Sequence, residues 1–400
     1  MASIFNFFLV NVTIVKIYNS FKLYLLYYYN TFLLIIQPLI EKILKNLVKL
    51  LKICYKISIM DIKIEKAFTQ ESVNVVFATN DDYACYMAVA LKSLLDNRDV
   101  EKLYDIIILE AGVTDANKEM IASMCDSEKV SIRFVNSNDL YETIDTSKLF
   151  CHLHFSKEMY LRLFIPQMMP AYDKVIYLDC DTLITGDISK LMDVDLETNY
   201  VAAVRDYNTI VNYRAFPNVK TYFSVNLKLK DINNYVNSGV LLMNIQEMLK
   251  IDMTQKIFDL LDYYKEFLYP DQDILNLICE DKIKIIPNSW NYVIITNTRL
   301  MQDDYFKNLA VEFVEGIANQ YVLHFLSEIK PWKYPNMYYG HIWWDYAKTT
   351  PFLEILIAKF REFEKFEQEN ADKRQKEIED AIKLSNEAKA LRNGEIKKLN

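Results

Sequence analysis

Glycine is scarce in this chain, with six residues among 400. A glycine-rich phosphate loop needs several glycines close together, because its backbone must approach the phosphate and adopt conformations that other residues avoid. Neither the dinucleotide-binding pattern nor the Walker pattern occurs in the sequence. We therefore exclude the proteins that bind nucleotides through such a loop.

The cysteines lack the spacing of a zinc site or a redox motif. No two of them form a Cys-x-x-Cys pair. Isolated cysteines of this kind are typical of reduced residues in a cytoplasmic protein. The six residues are Cys54, Cys85, Cys125, Cys151, Cys180 and Cys279.

A net positive charge is lacking outside the first 60 residues. The net charge is −8, yet residues 1–60 contain seven lysines and one glutamate, so the remainder carries −14. An acidic body argues against a nucleic-acid partner. The hydrophobic fraction of 52% is enough for a sizeable core and excludes global disorder.

Residues 1–60 form an apolar and basic leader with two interpretations. Residues 23–40 carry no charge and would be about 27 Å long as a helix, which only just spans a bilayer core. Five lysines then follow at helical spacing, so residues 1–57 could make peripheral contact with the inner face of the cytoplasmic membrane. The alternative is that translation begins at Met60 and that the leader is not part of the native protein. The lysines on the helical stripe are Lys42, Lys45, Lys49, Lys52 and Lys56.

From residue 73 onward, apolar strands alternate with amphipathic helices. This alternation predicts an α/β fold with one doubly wound, mostly parallel sheet and right-handed crossovers. The domain is expected over residues 73–348. The predicted strands are 73–78, 104–109, 130–135, 174–178, 201–204, 240–243, 283–286 and 321–325. The predicted helices are 83–96, 114–125, 156–164, 252–264 and 271–279.

Two segments depart from this alternation. Residues 207–235 are polar and aromatic, and we expect a long loop there that contributes to the acceptor side of a site. Residues 351–400 predict a helical tail, apolar at first and then highly charged. Its short apolar stripe, which could dock on the domain, consists of Leu356, Phe360, Phe363 and Phe366.

Two carboxylates follow the predicted strand 174–178, at Asp179 and Asp181. Open α/β sheets bind ligands at the carboxyl ends of their strands. Paired anionic oxygens suit Mg²⁺ or Mn²⁺, usually with substrate phosphate completing the coordination. A solvated Asp-x-Asp loop is the alternative when this stretch is considered alone.

Six short blocks, in order along the chain, resemble glycosyltransferase family 8, in particular its bacterial lipopolysaccharide galactosyl- and glucosyltransferases. Each block alone is weak, but the six together span about residues 73–332. They are Phe77-Ala78-Thr79-Asn80-Asp81-Asp82-Tyr83; His154-Phe155-Ser156 with Tyr160-Leu161-Arg162-Leu163; Tyr177-Leu178-Asp179-Cys180-Asp181; Asn237-Ser238-Gly239-Val240-Leu241-Leu242-Met243-Asn244; Asp271-Gln272-Asp273-Ile274-Leu275-Asn276; and His324-x-x-Ser327-x-x-Lys330-Pro331-Trp332.

The resemblance implies a GT-A fold, a UDP-hexose donor, a glycan acceptor such as lipopolysaccharide, and retention at the anomeric carbon. It also implies that Mn²⁺ or Mg²⁺ is ligated by Asp179, Asp181 and His324. Lys330 would add a fixed positive charge near the donor diphosphate.

The resemblance further assigns donor-binding and catalytic roles. Ala78, Asn80 and Asp82 would lie at the nucleoside. Tyr83 would either stack on uracil or pack in the core. Donor-sugar contacts would come from Arg162, Asp206, Asn237 and Ser238. Asp271 and Gln272 would lie beside the anomeric carbon, and with Asp206 they form the expected catalytic group.

This chain departs from the family pattern in two places. Asn80 and Asp82 exchange the family's usual Asp and Asn, which leaves the base preference open. Ser327 replaces a glycine, and a positive φ there would cost serine about 1 kcal/mol or more.

Because Gln272 is a poor nucleophile, we expect same-face attack on the donor rather than a covalent intermediate. The alternatives are a sugar-nucleotide nucleotidyltransferase and a catalytically silent sugar-nucleotide-binding protein.

Overall fold

A central seven-stranded sheet organises the fold, here described from a computed structural model. The described residues are 62–138, 157–264, 266–294, 298–318 and 320–399, together with Lys42, with side chains described as far as residue 383 apart from Ala318. The predicted membrane-contacting leader and the block His154-Phe155-Ser156 lie outside them. Ile62–Asn400 form one compact unit.

The strands of the central sheet lie in the order β3-β2-β1-β4-β7-β6-β8. Pairs β1–β2, β2–β3, β1–β4 and β6–β8 are parallel, whereas β7 runs antiparallel to both β4 and β6. The prediction of a mostly parallel sheet is therefore confirmed. The strands are β1 (Ser72–Asn80), β2 (Leu103–Ala111), β3 (Val130–Asn136), β4 (Lys174–Leu178), β6 (Val201–Arg205), β7 (Val236–Asn244) and β8 (Ile283–Ile285).

The middle strands are buried on both faces, which explains their nearly continuous apolar sequences. Four of the five residues of β4 and eight of the nine residues of β1 and of β7 are buried. Because β1 and β4 are adjacent and parallel, their carboxyl ends lie at the same edge of the sheet.

A second, three-stranded sheet was not predicted. It consists of β5 (Thr182–Ile184), β9 (Tyr292–Val293) and β10 (Val322–His324), in the order β5-β10-β9. The predicted strand at 321–325 is thus present, but it belongs to this sheet. Its pairing with β5 sets His324 opposite Thr182. Thr182 directly follows Asp179 and Asp181, which are called the Asp pair below.

Helices pack against the inner strands of the central sheet. Thr114 caps the helix predicted at 114–125, accepting a hydrogen bond from the Asn117 N–H. That helix ends at Ala122, three residues before the predicted end. The α-helices are α1 (Asp81–Asn97), α2 (Asp115–Ala122), α3 (Ile165–Met168), α4 (Tyr207–Ala215), α5 (Pro217–Thr221), α6 (Ile245–Met248), α7 (Met253–Tyr263), α8 (Pro270–Cys279), α9 (Thr298–Gln302), α10 (Lys307–Ala318), α11 (Gly340–Ala347) and α12 (Leu353–Leu399).

The predicted helix at 156–164 is a 3₁₀ helix over Lys157–Phe164. The next residue, Ile165, begins the short helix α3, and Pro166 lies in its first turn. Proline is tolerated there because the first helical residues have no internal partner for an N–H.

The segment 207–235 is not the long loop that was predicted. Helices α4 and α5 and a π-helical turn at Tyr222–Asn226 occupy most of it. The Asp206 side chain caps α4 by accepting from the Thr209 N–H, so the helix begins directly at a predicted site residue.

Helix α12 docks through its first turns only. Leu356 is buried, and the Phe363 ring meets Tyr334 with ring centroids 5.4 Å apart. Phe366, the last residue of the predicted apolar stripe, is 58% exposed. In the part of the chain that the structure describes, no helix has the combined length and apolarity needed to cross a bilayer.

Candidate active site

Asp179, Asp181 and His324 converge at the carboxyl edge of the central sheet, and together they could hold a metal ion. One ligand atom from each lies within 4.8 Å of the others. The His324 Nε2 atom is 3.1 Å from Asp181 Oδ1 and 3.8 Å from Asp179 Oδ2. His324 is fully buried, while both carboxylates remain partly accessible. The structure thus brings together the three residues that the resemblance implied as ligands.

The two sheets produce this convergence. Asp179 follows β4, and its N–H donates to the Gly239 carbonyl of β7 at 2.8 Å. The Asp181 carbonyl accepts from the Phe325 N–H at 3.0 Å, which ties the end of β10 to the Asp pair. Backbone pairing, rather than a flexible loop, therefore sets the position of His324.

Gly239 allows the close approach of these elements. A Cβ atom added there would lie 2.2 Å from His324 Cε1 and 2.7 Å from Asp179 Oδ2. This glycine lies within one of the six blocks, but no role was expected for it from the sequence. A lone glycine inside a buried strand is an indication of close approach that could have identified it.

A lysine lies against the Asp pair. Lys330 Nζ is 2.5 Å from Asp181 Oδ2 and donates to the Phe325 carbonyl at 2.6 Å. Burial opposes ionisation of Asp181, but Lys330 and His324 hold the pKa of that carboxyl well below its usual range. Asp181 is therefore an anion at neutral pH, as a metal ligand must be.

Arg162 is buried and is bonded to protein acceptors. Its Nη2 atom lies 2.7 Å from Asp179 Oδ1, and its Nε atom lies 3.1 Å from Asp271 Oδ2. Burial disfavours the guanidinium charge, but Asp179 and Asp271 raise the pKa of Arg162 far above its ordinary value. These contacts orient both carboxylates. The implied contact of Arg162 with sugar hydroxyls stays a prediction.

The other predicted sugar-side residues form one hydrogen-bonded group. Gln272 Nε2 donates to Asp206 Oδ2 at 3.0 Å, while Gln272 Oε1 accepts from Asn237 Nδ2 and from the Ser238 N–H, each at 3.1 Å. Ser238 Oγ donates to Asp271 Oδ2 at 3.0 Å. The structure thus brings Asp206, Asn237, Ser238, Asp271 and Gln272 together, and it holds the Gln272 amide from both sides.

The residues predicted at the nucleoside lie along the end of β1 and the start of α1. Ala78 is next to the Asp pair, since its carbonyl accepts from the Cys180 thiol at 3.1 Å. The Asn80 side chain caps α1 by accepting from the Tyr83 N–H at 3.0 Å. Asp82 is exposed, and its carbonyl accepts from Lys359 of α12.

Tyr83 is half-buried, and its ring stands edge-on to Tyr86 with centroids 5.5 Å apart. Burial, and then the negative charge of Asp181, raise the pKa of Tyr83 to about 12. The Tyr83 hydroxyl is therefore close enough to Asp181 for the negative charge of that carboxylate to affect its ionisation. The partial exposure of the ring leaves both predicted roles, stacking on a base and core packing, compatible with the geometry.

Ser327 has the positive φ that its glycine-like position suggested. Its φ is 71°, and its Oγ accepts from the Ile329 N–H at 3.2 Å. The left-handed conformation costs a non-glycine residue about 1 kcal/mol or more. The hydroxyl provides a local hydrogen bond that offsets part of this cost.

We expect Ser327→Gly to raise the thermal unfolding temperature by roughly 1–2 °C, because it removes this strain. Ser327→Ala is the matched control: it keeps the strained backbone and loses the hydroxyl, so it should lower that temperature. Calorimetry on the three proteins measures both shifts. Equal decreases in the two variants would show that the hydroxyl matters more than the backbone conformation.

Asp273 is a buried acid next to Gln272, and it was not predicted as part of the site. Asp273 accepts from Tyr235 Oη at 2.5 Å, from Tyr222 Oη at 2.6 Å and from the Tyr269 N–H at 2.9 Å. Tyr235 Oη also accepts from Gln272 Nε2 at 3.2 Å. Burial raises the pKa of Asp273 to about 7, although the two tyrosine hydroxyls oppose the shift.

This raised pKa predicts a specific pH dependence of stability. Between pH 4 and pH 7 the folded chain keeps a proton on Asp273 that the unfolded chain releases, so this group contributes less stability as the pH rises. From pH 5 to pH 7.5, the free energy of unfolding of the native protein should fall by roughly 2–3 kcal/mol relative to Asp273→Asn. Urea denaturation at the two pH values gives the comparison, and a pH-independent difference would contradict the assignment.

The fold is that of the GT-A glycosyltransferases. It matches the bifunctional glycosyltransferase WbbM with a TM-score of 0.62 and 26% identity, over 74% of this chain and 53% of WbbM. It also matches the galactosyltransferase LgtC, solved with donor and acceptor sugar analogues, with a TM-score of 0.60 and 24% identity, over 70% of this chain and 96% of LgtC. The predicted fold class is confirmed.

Sequence comparison defines the family. The profile of Glycosyl transferase family 8 matches residues 74–335. General stress protein A of Bacillus subtilis is 26% identical over 269 residues, covering 66% of this chain and 88% of that protein. The lipopolysaccharide 1,2-glucosyltransferase of Escherichia coli K12 is 25% identical over 302 residues, covering 72% of this chain and 82% of that enzyme. This protein belongs to glycosyltransferase family 8, as the resemblance implied. It is therefore a glycosyltransferase, with a nucleotide-sugar donor and a glycan acceptor.

Proposed function

We propose that this protein is a retaining hexosyltransferase that moves glucose or galactose from UDP to lipopolysaccharide or another cell-surface glycan. The observation that carries the proposal is the convergence of Asp179, Asp181 and His324 beside the residues expected at the nucleoside and the sugar. The similarity to a lipopolysaccharide 1,2-glucosyltransferase supports the hexose and the acceptor class.

A Mn²⁺ or Mg²⁺ ion fits this donor set. Two carboxylates and one imidazole suit such ions and leave coordination positions for diphosphate oxygens. Adjacent ligands of an octahedral ion at about 2.1 Å lie about 3 Å apart, close to the 3.1 Å between His324 Nε2 and Asp181 Oδ1. When bound, the ion would neutralise negative charge on the departing UDP.

The remaining charged groups would bind and orient the donor. Lys330, within 2.5 Å of Asp181, would place a second positive charge near the diphosphate. Arg162 would hold Asp179 and Asp271 in fixed positions. Preorganised charges of this kind contribute more than mobile ones, because they need not reorient as the reaction proceeds.

Gln272 would lie beside the anomeric carbon without acting as a nucleophile. Its amide is weakly nucleophilic, and both of its ends are hydrogen-bonded to protein. We therefore propose same-face attack, in which the acceptor hydroxyl replaces UDP on the face that UDP leaves. A covalent sugar adduct on Asp206 or Asp271, trapped by mass spectrometry, would contradict this route.

The leader would bring the enzyme to the inner face of the cytoplasmic membrane, where lipid-linked acceptors are accessible. The support for this step is the helical spacing of Lys42, Lys45, Lys49, Lys52 and Lys56. Sequencing the amino terminus of the native protein distinguishes a start at Met1 from one at Met60, and a start at Met60 would remove this part of the proposal.

The experiment that tests the proposal is a donor screen by UDP release. UDP-glucose and UDP-galactose are incubated with the full chain, Mn²⁺ and a cell-envelope glycan extract, and the anomeric configuration of the product is determined by NMR. We expect turnover with one of the two donors, retention of configuration, and loss of turnover in Asp179→Ala. Absence of turnover with every UDP-hexose would overturn the proposal. Sugar-nucleotide formation from UTP and a sugar phosphate would instead identify a nucleotidyltransferase.

A further inference from the structure

A chain of side-chain amides lies behind His324. Asn291 Oδ1 is 2.9 Å from His324 Nδ1, and Asn291 Nδ2 donates to Asn237 Oδ1 at 2.7 Å. Asn237 Nδ2 continues the chain to Gln272 Oε1. Asn291 is fully buried, and it directly precedes β9, which pairs with β10 beside His324. This asparagine lies outside the six blocks, and no role was expected for it from the sequence.

Two backbone N–H groups fix which way the side-chain amides of Asn237 and Gln272 are oriented. The Gly239 N–H donates to Asn237 Oδ1 at 3.0 Å, and the Ser238 N–H donates to Gln272 Oε1 at 3.1 Å. A backbone N–H can only donate, so the atoms that face it must be carbonyl oxygens. The Asn237 and Gln272 amides therefore cannot exchange their oxygen and nitrogen atoms without losing these bonds.

The orientation of the Asn237 amide determines that of Asn291, and Asn291 in turn contacts His324. Because Asn237 Oδ1 is an acceptor, the atom of Asn291 that faces it must be the donating Nδ2. Asn291 consequently presents its oxygen to His324 Nδ1, and that nitrogen must carry a hydrogen to donate. Nδ1 is thereby committed to Asn291, and Nε2 is the ring nitrogen that faces Asp179 and Asp181. Nε2 can ligate a metal once it carries no hydrogen.

We propose that Asn291 is a positioning residue that holds His324 in the Nδ1–H tautomer and so presents Nε2 as a ligand. The part that concerns the metal rests on the proposed function, whereas the assignment of the tautomer does not. Partners that donate to or accept from a ligating imidazole typically change metal affinity 10- to 100-fold when they are removed.

The test uses the full-length protein with ¹⁵N-labelled histidine. The chain has four histidines, so the ring signals of His324 are assigned by their loss in His324→Gln. In the native protein, with or without Mg²⁺, we expect a protonated Nδ1, because Asn291 Oδ1 accepts from it. Bound Mg²⁺ should leave Nε2 unprotonated. A native protein whose Nδ1 carries no hydrogen would overturn the proposal, and this outcome requires no variant to fold.

Variants separate positioning from packing. Asn291→Leu keeps a similar shape and removes both hydrogen bonds, so it should weaken Mn²⁺ binding 10- to 100-fold in calorimetry and alter the ring signals. Asn291→Asp retains an acceptor for Nδ1–H but sets a carboxylate oxygen against Asn237 Oδ1, so it should keep Nδ1 protonated and lower stability. Asn288→Leu is the matched control, because it removes a buried amide that donates instead to the Phe313 carbonyl. It should lower stability and leave both readouts unchanged.

Two outcomes distinguish this proposal from the proposed function. If Asn291→Leu keeps the native tautomer and the native Mn²⁺ affinity, Asn291 merely fills space and the inference is wrong. If no protein binds Mn²⁺ but Asn291→Leu still changes the ring signals, the tautomer assignment stands and the metal-dependent function fails.

Discussion

Replacing Asp181 by asparagine should lower the Mn²⁺-dependent rate of UDP release by about 10³-fold or more. The substitution keeps the shape of the side chain but removes the negative charge that lies between His324 Nε2, at 3.1 Å, and Lys330 Nζ, at 2.5 Å. A metal ion would lose one anionic ligand, and Lys330 would lose its counter-ion. Weaker metal binding removes positive charge that would stabilise the leaving diphosphate, and Lys330 is no longer held in position by its counter-ion.

The rate is measured at saturating donor with increasing Mn²⁺, which separates weak metal binding from a slow reaction. Asp187→Asn is a suitable control, because it makes the same chemical change six residues later in the chain. Asp187 accepts from the Ser189 N–H at a local helix start, a bond that asparagine can also accept. We expect native activity in that variant. Native activity in Asp181→Asn would show that the Asp pair is not the site of a required metal.

Local patterns predicted the strands of the central sheet well, because burial on both faces leaves a clear apolar sequence. They could not predict that β7 is antiparallel to its neighbours. Strand β7 is as thoroughly buried as the parallel strand β1, and side-chain burial alone carries no information about chain direction. The small second sheet was missed for another reason, since strands of two or three residues are too short to show a period.

The segment 207–235 shows how composition can mislead. Its tyrosines and asparagines have low helix propensity, so the sequence predicted a loop. The Asp206 cap and the burial of Tyr207, Thr209, Ile210 and Val211 nevertheless stabilise α4. Tertiary packing therefore outweighed local preference.

The candidate site was predictable to the extent that its residues occur in recognisable blocks. Asp179, Asp181 and His324 were assigned through the resemblance, and the structure brings their ligand atoms together. Asn291 and Asp273 were not predicted as site residues, because their roles depend on which side chains the fold places next to them. Asn291 lies outside the quoted blocks, whereas Asp273 lies inside one but contacts Tyr222 and Tyr235, which are distant from it in sequence.

Replacing Gly239 by alanine should have the second large effect. The added methyl group would lie 2.2 Å from His324 Cε1, 2.7 Å from Asp179 Oδ2 and 2.9 Å from His324 Nδ1. These distances are far inside van der Waals contact, so the imidazole or the strand must move. His324 is fully buried between β7 and Asn291 and has little room to do so. We expect at least a 10²-fold loss of turnover, because a displacement of about 1 Å at such a site is sufficient.

Gly112→Ala distinguishes this local effect from a general cost of adding a methyl group. Gly112 has a φ of 78°, and a Cβ atom there would meet nothing within 4 Å. Alanine at that position should cost about 1 kcal/mol of stability through backbone strain and leave turnover unchanged. Gly239→Ala should instead lose both Mn²⁺ affinity and turnover, as measured by calorimetry and UDP release on folded protein. If Gly239→Ala retained native Mn²⁺ affinity, the close packing of β7 against His324 would not be what positions the ligand.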